Sequence, residues 1–244
     1  MKILSIGNSF SCDATRYLHG IAHADNVNIE SVNLYIGGCP LDKHFRNMKG
    51  DYRAYALYFN GQATGFDVSI KEALLSREWD IVTVQQASKK SYKKETYYPY
   101  ITELVDYVKE LAPKAKIIMH ETWAYEDGSE RLFNVTGYES SDAMLADVKK
   151  AYHEVADELG LDGLIPSGEM LGALVKLGIP RVHKEDASHA SLGVGRYALG
   201  LLWYRMLTGN SVLENTYRDF DVDVPEEEIE IVKKYVESIT PIFE

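Results

Sequence analysis

Lys2-Ile3-Leu4-Ser5-Ile6-Gly7-Asn8-Ser9-Phe10-Ser11 is the stretch on which the fold turns. The apolar run Ile3–Ile6 reads as a short buried strand, Gly7 permits a sharp turn, and helical periodicity begins a few residues later. A strand that turns directly into a helix is the opening unit of an α/β domain. It places Ser9 at the carboxyl edge of the sheet, where parallel α/β sheets gather their functional loops.

Working outward, strands and helices keep alternating. Ala14–Ala24 is expected as a helix with Asp13 as N-cap, and Val27–Ile36 as a strand ending at Gly37-Gly38. Further strands are expected at Asp80–Val84, Lys116–His120 and Leu164–Pro166. Helices are expected at Tyr98–Leu111, Asp142–Leu159, Ala190–Leu207 and Pro225–Ile239. This order implies βαβ units, a parallel sheet and helices on both faces. Tyr52–Val68 carries Asn60-Gly61 between aromatic runs, the signature of a hairpin inserted beside the main sheet. Ala124–Ser141 reads as an irregular excursion. Without repeats or a Pro/Ser-rich linker, residues 1–244 are expected to form one domain.

Composition narrows the function. The net charge of −11 disfavours nucleic acid and anionic membranes as partners. There is no apolar run of bilayer length. The N-terminal segment is too quickly polar for a secretory signal, so a cytoplasmic location is expected. The run Lys89-Lys90-Ser91-Tyr92-Lys93-Lys94 is expected as a solvated loop, with a basic rim near the active site as the alternative. Two cysteines, Cys12 and Cys39, are too few for a disulfide scaffold. No CxxC pair suggests structural zinc, and His19 and His23, at i and i+4, read as helix-surface histidines.

The chemistry lies at the two ends of the chain. Asp186 and His189, three residues apart, can share one face of a turn, so the carboxylate can accept from Nδ1 and leave Nε2 free to activate Ser9. His183 is the nearest competitor as base. Acyl transfer also needs donors for an oxyanion. The Ser9 N–H, Gly37 or Gly38 after the second strand, and Gln85 or Gln86 after the third are the candidates. Alternation sends the two glutamines to opposite sides, so one of them is expected to serve. Asn8, Tyr35, His44, Gln85, Trp123 and Tyr125 are candidate substrate-binding residues. There is no G-x-S-x-G elbow.

These residues resemble the SGNH (GDSL-like) hydrolase superfamily. Gly7-Asn8-Ser9-Phe10 looks like its first block, Gly37 or Gly38 like the second-block glycine, and Asp186-Ala187-Ser188-His189 like the closing D-x-x-H block. The third block departs: Val84-Gln85-Gln86-Ala87-Ser88 stands where members carry Asn, and Gln86 at that place resembles the sialate O-acetylesterase branch. With Glu121-Thr122-Trp123-Ala124-Tyr125 and Pro166-Ser167-Gly168-Glu169, the full length resembles the bacterial DUF4886 group. The resemblance implies a three-layer α/β/α sandwich with a flavodoxin-like parallel sheet. It also implies a serine esterase using Ser9, His189 and Asp186 with Gln86 as a further oxyanion donor, and no metal or organic cofactor. The expected substrate is a short acyl ester, with acetyl on a carbohydrate as the leading choice. The rival expectations are a saccharide-binding module without catalysis, motivated by the altered third block, and a flavodoxin-like phosphate or nucleotide binder.

Overall fold

The computed structural model describes residues 1–243. In chain order the elements are β1 (Lys2–Gly7), α1 (Ser9–Ala14), α2 (Leu18–Ala24), β2 (Glu30–Tyr35), α3 (Leu41–Lys49), β3 (Tyr55–Phe59), β4 (Gln62–Val68), α4 (Ile70–Leu75) and β5 (Ile81–Val84). After a short 3-10 turn at Lys94–Thr96 come α5 (Tyr100–Leu111), β6 (Lys116–His120), α6 (Glu130–Thr136), α7 (Ser141–Leu159), β7 (Gly163–Ile165), α8 (Ser167–Lys176), α9 (Val194–Thr208) and α10 (Glu226–Glu237).

The seven strands form one sheet in the order β4-β3-β2-β1-β5-β6-β7. Strands β2, β1, β5, β6 and β7 are parallel, which is the flavodoxin-like order 2-1-3-4-5. β5 is buried along its whole length, as a strand covered by helices on both faces must be. Helices α3, α4 and α5 pack on one another in one layer, while α1, α2, α8 and α10 pack around α9 in the other. Twelve of the fifteen residues of α9 are buried, which makes it the central helix of its layer rather than an amphipathic cover.

β1 is the switch point: the chain moves to one side of it for β2 and to the other for β5. The crevice that opens there, at the carboxyl ends of the strands, receives the first residue after β1.

Several expected boundaries shift, each for a physical reason. The hairpin does not sit beside the sheet but extends it, because β3 pairs antiparallel with β2, with Asn60 (φ 48°) and Gly61 (φ 78°) making the turn. The helix expected over Ala14–Ala24 is the shorter α2, Leu18–Ala24, with Tyr17 rather than Asp13 at its N-cap position, and a separate helix, α1, begins at Ser9 and is capped by Asn8. Asp13 is instead buried within α1, where it pairs with Arg196 of α9 at 2.7 Å. α9 starts at Val194 rather than Ala190, because Ala190 forms an antiparallel bridge to His183. The excursion 124–141 contains α6, capped by Ser129. No helix among the described residues is long and apolar enough to cross a membrane.

Candidate active site

The turn from β1 into α1 is held by a buried polar network. The Asn8 Oδ1 accepts from the Phe10 N–H (3.0 Å) and from Gln85 Nε2 (3.0 Å), and its Nδ2 donates to the Cys39 carbonyl (3.3 Å). The Gln85 Oε1 in turn accepts from His120 Nδ1 at 3.0 Å. Burial lowers the His120 pKa from 6.5 to about 3, so its ring is neutral and donates from Nδ1. Gly7 is required by close approach: a Cβ there would lie 2.5 Å from Ser11 Oγ and 2.6 Å from Gln85 Oε1. The result is a fixed turn from which half-buried Ser9 projects.

The second half of the site is a self-closed loop. Ser191 N donates to the Val182 carbonyl and Lys184 N to the His189 carbonyl, both at 2.8 Å, so residues 182–191 fold back on themselves. Ala187 at the tip has φ 57°, a left-handed conformation that a residue without a β-branch adopts at modest cost. Asp186 Oδ1 accepts from the backbone N–H groups of Ser188 (3.0 Å) and His189 (2.9 Å), while Oδ2 holds His189 Nδ1. Partial burial pushes this carboxyl up, but the hydrogen bonds from the His189 ring and from the two backbone N–H groups outweigh it and bring the pKa down to about 2. An ionised carboxylate only accepts, so Nδ1 carries the hydrogen. His189 Nε2 is then an acceptor, and it lies 2.8 Å from Ser9 Oγ. In this geometry an imidazole can take the serine proton.

Phe10 and Trp123 lock the halves together. The Phe10 ring stacks on Trp123 (centroids 4.0 Å, 6°) and meets His189 edge-on at 5.7 Å, and Trp123 Nε1 donates to the Ser188 carbonyl at 2.7 Å. Behind them, Asp13 Oδ2 accepts from Ala190 N at 3.2 Å, while Arg196 joins Asp13 to Asp221. Neither Phe10 nor Arg196 was anticipated in the sequence. Phe10 adjoins the serine, so its position was the one available signal. Asp13 and Arg196 are 183 residues apart, and nothing local links them.

The expected donors divide. Among the described residues, no intramolecular acceptor takes the backbone N–H of Ser9, Gly37 or Gly38, and the glycines are exposed at the end of β2. Gln86 does not serve as expected. Its Nε2 donates to Thr96 O (3.0 Å) and Thr96 Oγ1 (3.2 Å), its Oε1 accepts from Leu41 and Ala87 N–H, and it is fully buried. Gln85 and Asn8 are buried partners of one another that shape the turn, rather than groups presented to a substrate.

The aromatic candidates divide too. Tyr35 is half-exposed beside Gly37. His44 is on the buried face of α3 against Tyr55 OH (2.9 Å), and Trp123 and Tyr125 are core residues, so each of the three is committed to packing. His183 is buried and donates from Nε2 to the Ala124 carbonyl at 3.1 Å, which removes it as the base. Cys12 and Cys39 are free thiols, each pushed up to about 12 by burial and therefore unreactive as nucleophiles. Lys90 and Lys94 are paired with Asp42, Glu154 and Glu158 rather than forming a free basic rim.

The family described as "Domain of unknown function (DUF4886)" matches residues 2–235. The crystal structure of a DUF4886 family protein from Bacteroides uniformis is 31% identical, covering 97% of this chain and 93% of that one, with a TM-score of 0.88. A protein from Slackia heliotrinireducens described as an SGNH hydrolase is 21% identical, covering 85% and 98%, with a TM-score of 0.61. A variant of Axe2, an acetyl-xylooligosaccharide esterase from Geobacillus Stearmophilus, is 18% identical, covering 84% and 90%, with a TM-score of 0.50. No curated protein matches in sequence. At these identities the last two structures speak to the fold.

Proposed function

The chain belongs to the DUF4886 family and has the SGNH hydrolase fold, and on that premise we propose that it is a serine hydrolase of short acyl esters, with acetyl on a carbohydrate as the preferred substrate. The observation that carries the reading is the continuous line from Asp186 through His189 to Ser9, with Nε2 2.8 Å from Oγ. Ser9 Oγ attacks the ester carbonyl as His189 Nε2 takes its proton, and Asp186 stabilises the imidazolium. The developing oxyanion is met by the N–H of Ser9 and that of Gly37 or Gly38. The alcohol leaves with the proton from His189. Water, activated by the same ring, then releases the acid from the acyl-enzyme.

The half-buried Ser9 and the exposed Gly37-Gly38 turn suit a short acyl group on a polar alcohol. Tyr35, beside the glycine turn, offers a ring face to a sugar. The esterase named above acts on acetyl-xylooligosaccharide, which agrees with this choice. Two free thiols suit a reducing compartment, consistent with a cytoplasmic enzyme. The commitment of Gln86 to Thr96 favours, as a second reading, a saccharide-binding module without turnover.

Fluorophosphonate labelling with mass-spectrometric site mapping separates the two. Labelling at Ser9 is expected, and Ser9→Ala should lower p-nitrophenyl acetate turnover by about 10³-fold or more with the melting temperature retained. Acetylated xylooligosaccharides should be cleaved faster than octanoyl esters. Labelling elsewhere, or an unchanged rate in Ser9→Ala, would refute the assignment.

A further inference from the structure

We infer that Glu121, His153 and Glu169 form a binding site for a divalent transition ion of the zinc type. The three come from different elements: Glu121 directly follows β6, His153 lies within α7, and Glu169 is in the first turn of α8. One ligand atom from each lies within 4.8 Å of the others.

Glu121 sets the site. Its side chain is fully buried, and its Oε1 accepts from the Glu169 backbone N–H at 3.0 Å. Its Oε2 has no hydrogen-bond partner among the described residues, although buried polar atoms are nearly always satisfied. That unpartnered oxygen is aimed at His153 Nε2, 4.0 Å away, and Nε2 is itself 3.4 Å from Glu169 Oε1. Zinc–oxygen and zinc–nitrogen bonds of about 2.0–2.1 Å in a tetrahedron place neighbouring ligand atoms roughly 3.3–3.4 Å apart. One edge of the site already has that length, and the second is about 0.6 Å longer. His153 and Glu169, with side chains 46% and 32% exposed, are free to close it and leave a fourth position for water.

Charge and ligand type agree. Lys149 binds the other oxygen of Glu169, Oε2, and so leaves Oε1 facing His153. Two carboxylates outnumber this one ammonium. An imidazole with two carboxylates suits zinc-like ions better than magnesium or calcium, which take oxygen-rich shells. The bound ion would tie β6, α7 and α8 together. Two residues beyond Glu121, Trp123 holds the carbonyl of Ser188. The ion would therefore brace the support behind His189 without touching the reacting atoms.

The test is zinc titration of chelator-treated protein by calorimetry, with His153→Ala, Glu169→Gln and, as a control for the other histidine pair, His19→Ala. One zinc per chain is expected. His153→Ala and Glu169→Gln should each weaken binding by more than the roughly 10- to 100-fold typical of losing an outer-shell partner. His19→Ala should bind as the wild type does. Zinc should raise the melting temperature of the wild type and not that of His153→Ala. The inference is overturned if the wild type takes up no zinc, as expected of a merely protonated buried acid. It is equally overturned if His153→Ala binds undiminished, if His19→Ala is the variant that loses binding, or if calcium or magnesium binds more tightly than zinc.

Discussion

Asp186 serves two purposes with one side chain: Oδ1 fixes the backbone of Ser188 and His189, and Oδ2 fixes the His189 ring. Asp186→Asn retains an oxygen for the backbone but can present an amide N–H to Nδ1. The ring must then carry its hydrogen on Nε2, where it can no longer accept from Ser9. Turnover of p-nitrophenyl acetate should fall by roughly 10³–10⁴-fold, while labelling-independent measures of the fold change little. A residual rate above a tenth of wild type would show that the carboxylate does not set the tautomer. The i,i+3 relation of Asp186 and His189 was legible because it is local. The role of Asn8 was not, because its partners Gln85 and Cys39 come from other strand ends.

At the scale of elements, the site is a contact between the start of α1 and the 182–191 loop, joined by the Phe10–Trp123 stack and the Trp123–Ser188 hydrogen bond. Trp123→Phe keeps a ring on Phe10 but orphans the Ser188 carbonyl, at a cost of about 1–3 kcal/mol. Because the carbonyl belongs to the residue before His189, kcat should fall about tenfold with KM little changed, as expected for a displaced base. Steady-state kinetics beside a urea titration checks this. Equal kcat with lowered stability would make Trp123 a packing residue only. Long helices such as α7 and α5 were legible from apolar spacing, whereas the short α3, α4 and α8 were not. Asp13 does not cap the helix expected after it because it lies inside α1, a separate short helix that Asn8 caps. Only Arg196, on α9, decides that Asp13 turns inward.

For the whole molecule, buried histidines held neutral make the fold sensitive to acid. Burial lowers both His44 and His120 from 6.5 to about 3. Below pH 6.5 the unfolded chain takes up protons at these positions while the folded chain refuses them until about pH 3. Their contribution to stability is therefore present above 6.5 and is lost as pH falls toward 3. Asp186 adds a second loss below its ordinary 3.8, complete near pH 2. The urea midpoint should fall steadily from pH 7 to pH 4, with most of the loss preceding any titration of Asp186. A midpoint that stays flat over that range would mean that the histidines are not held neutral.

The sequence by itself determined the strand–turn–helix at Ser9, the alternation that makes a parallel sheet, the hairpin at Asn60-Gly61, and the Asp186–His189 pair. Each is encoded within a few residues, by periodicity, turn chemistry or a shared face. The tertiary structure alone decided that His189 meets Ser9 across 180 residues, that Gln86 is tied to Thr96 instead of facing the crevice, and that Trp123 buttresses the site from the core. Those outcomes depend on which strand lies beside which, and on where each buried polar atom finds its partner. Both are properties of the packed sheet that no local window contains.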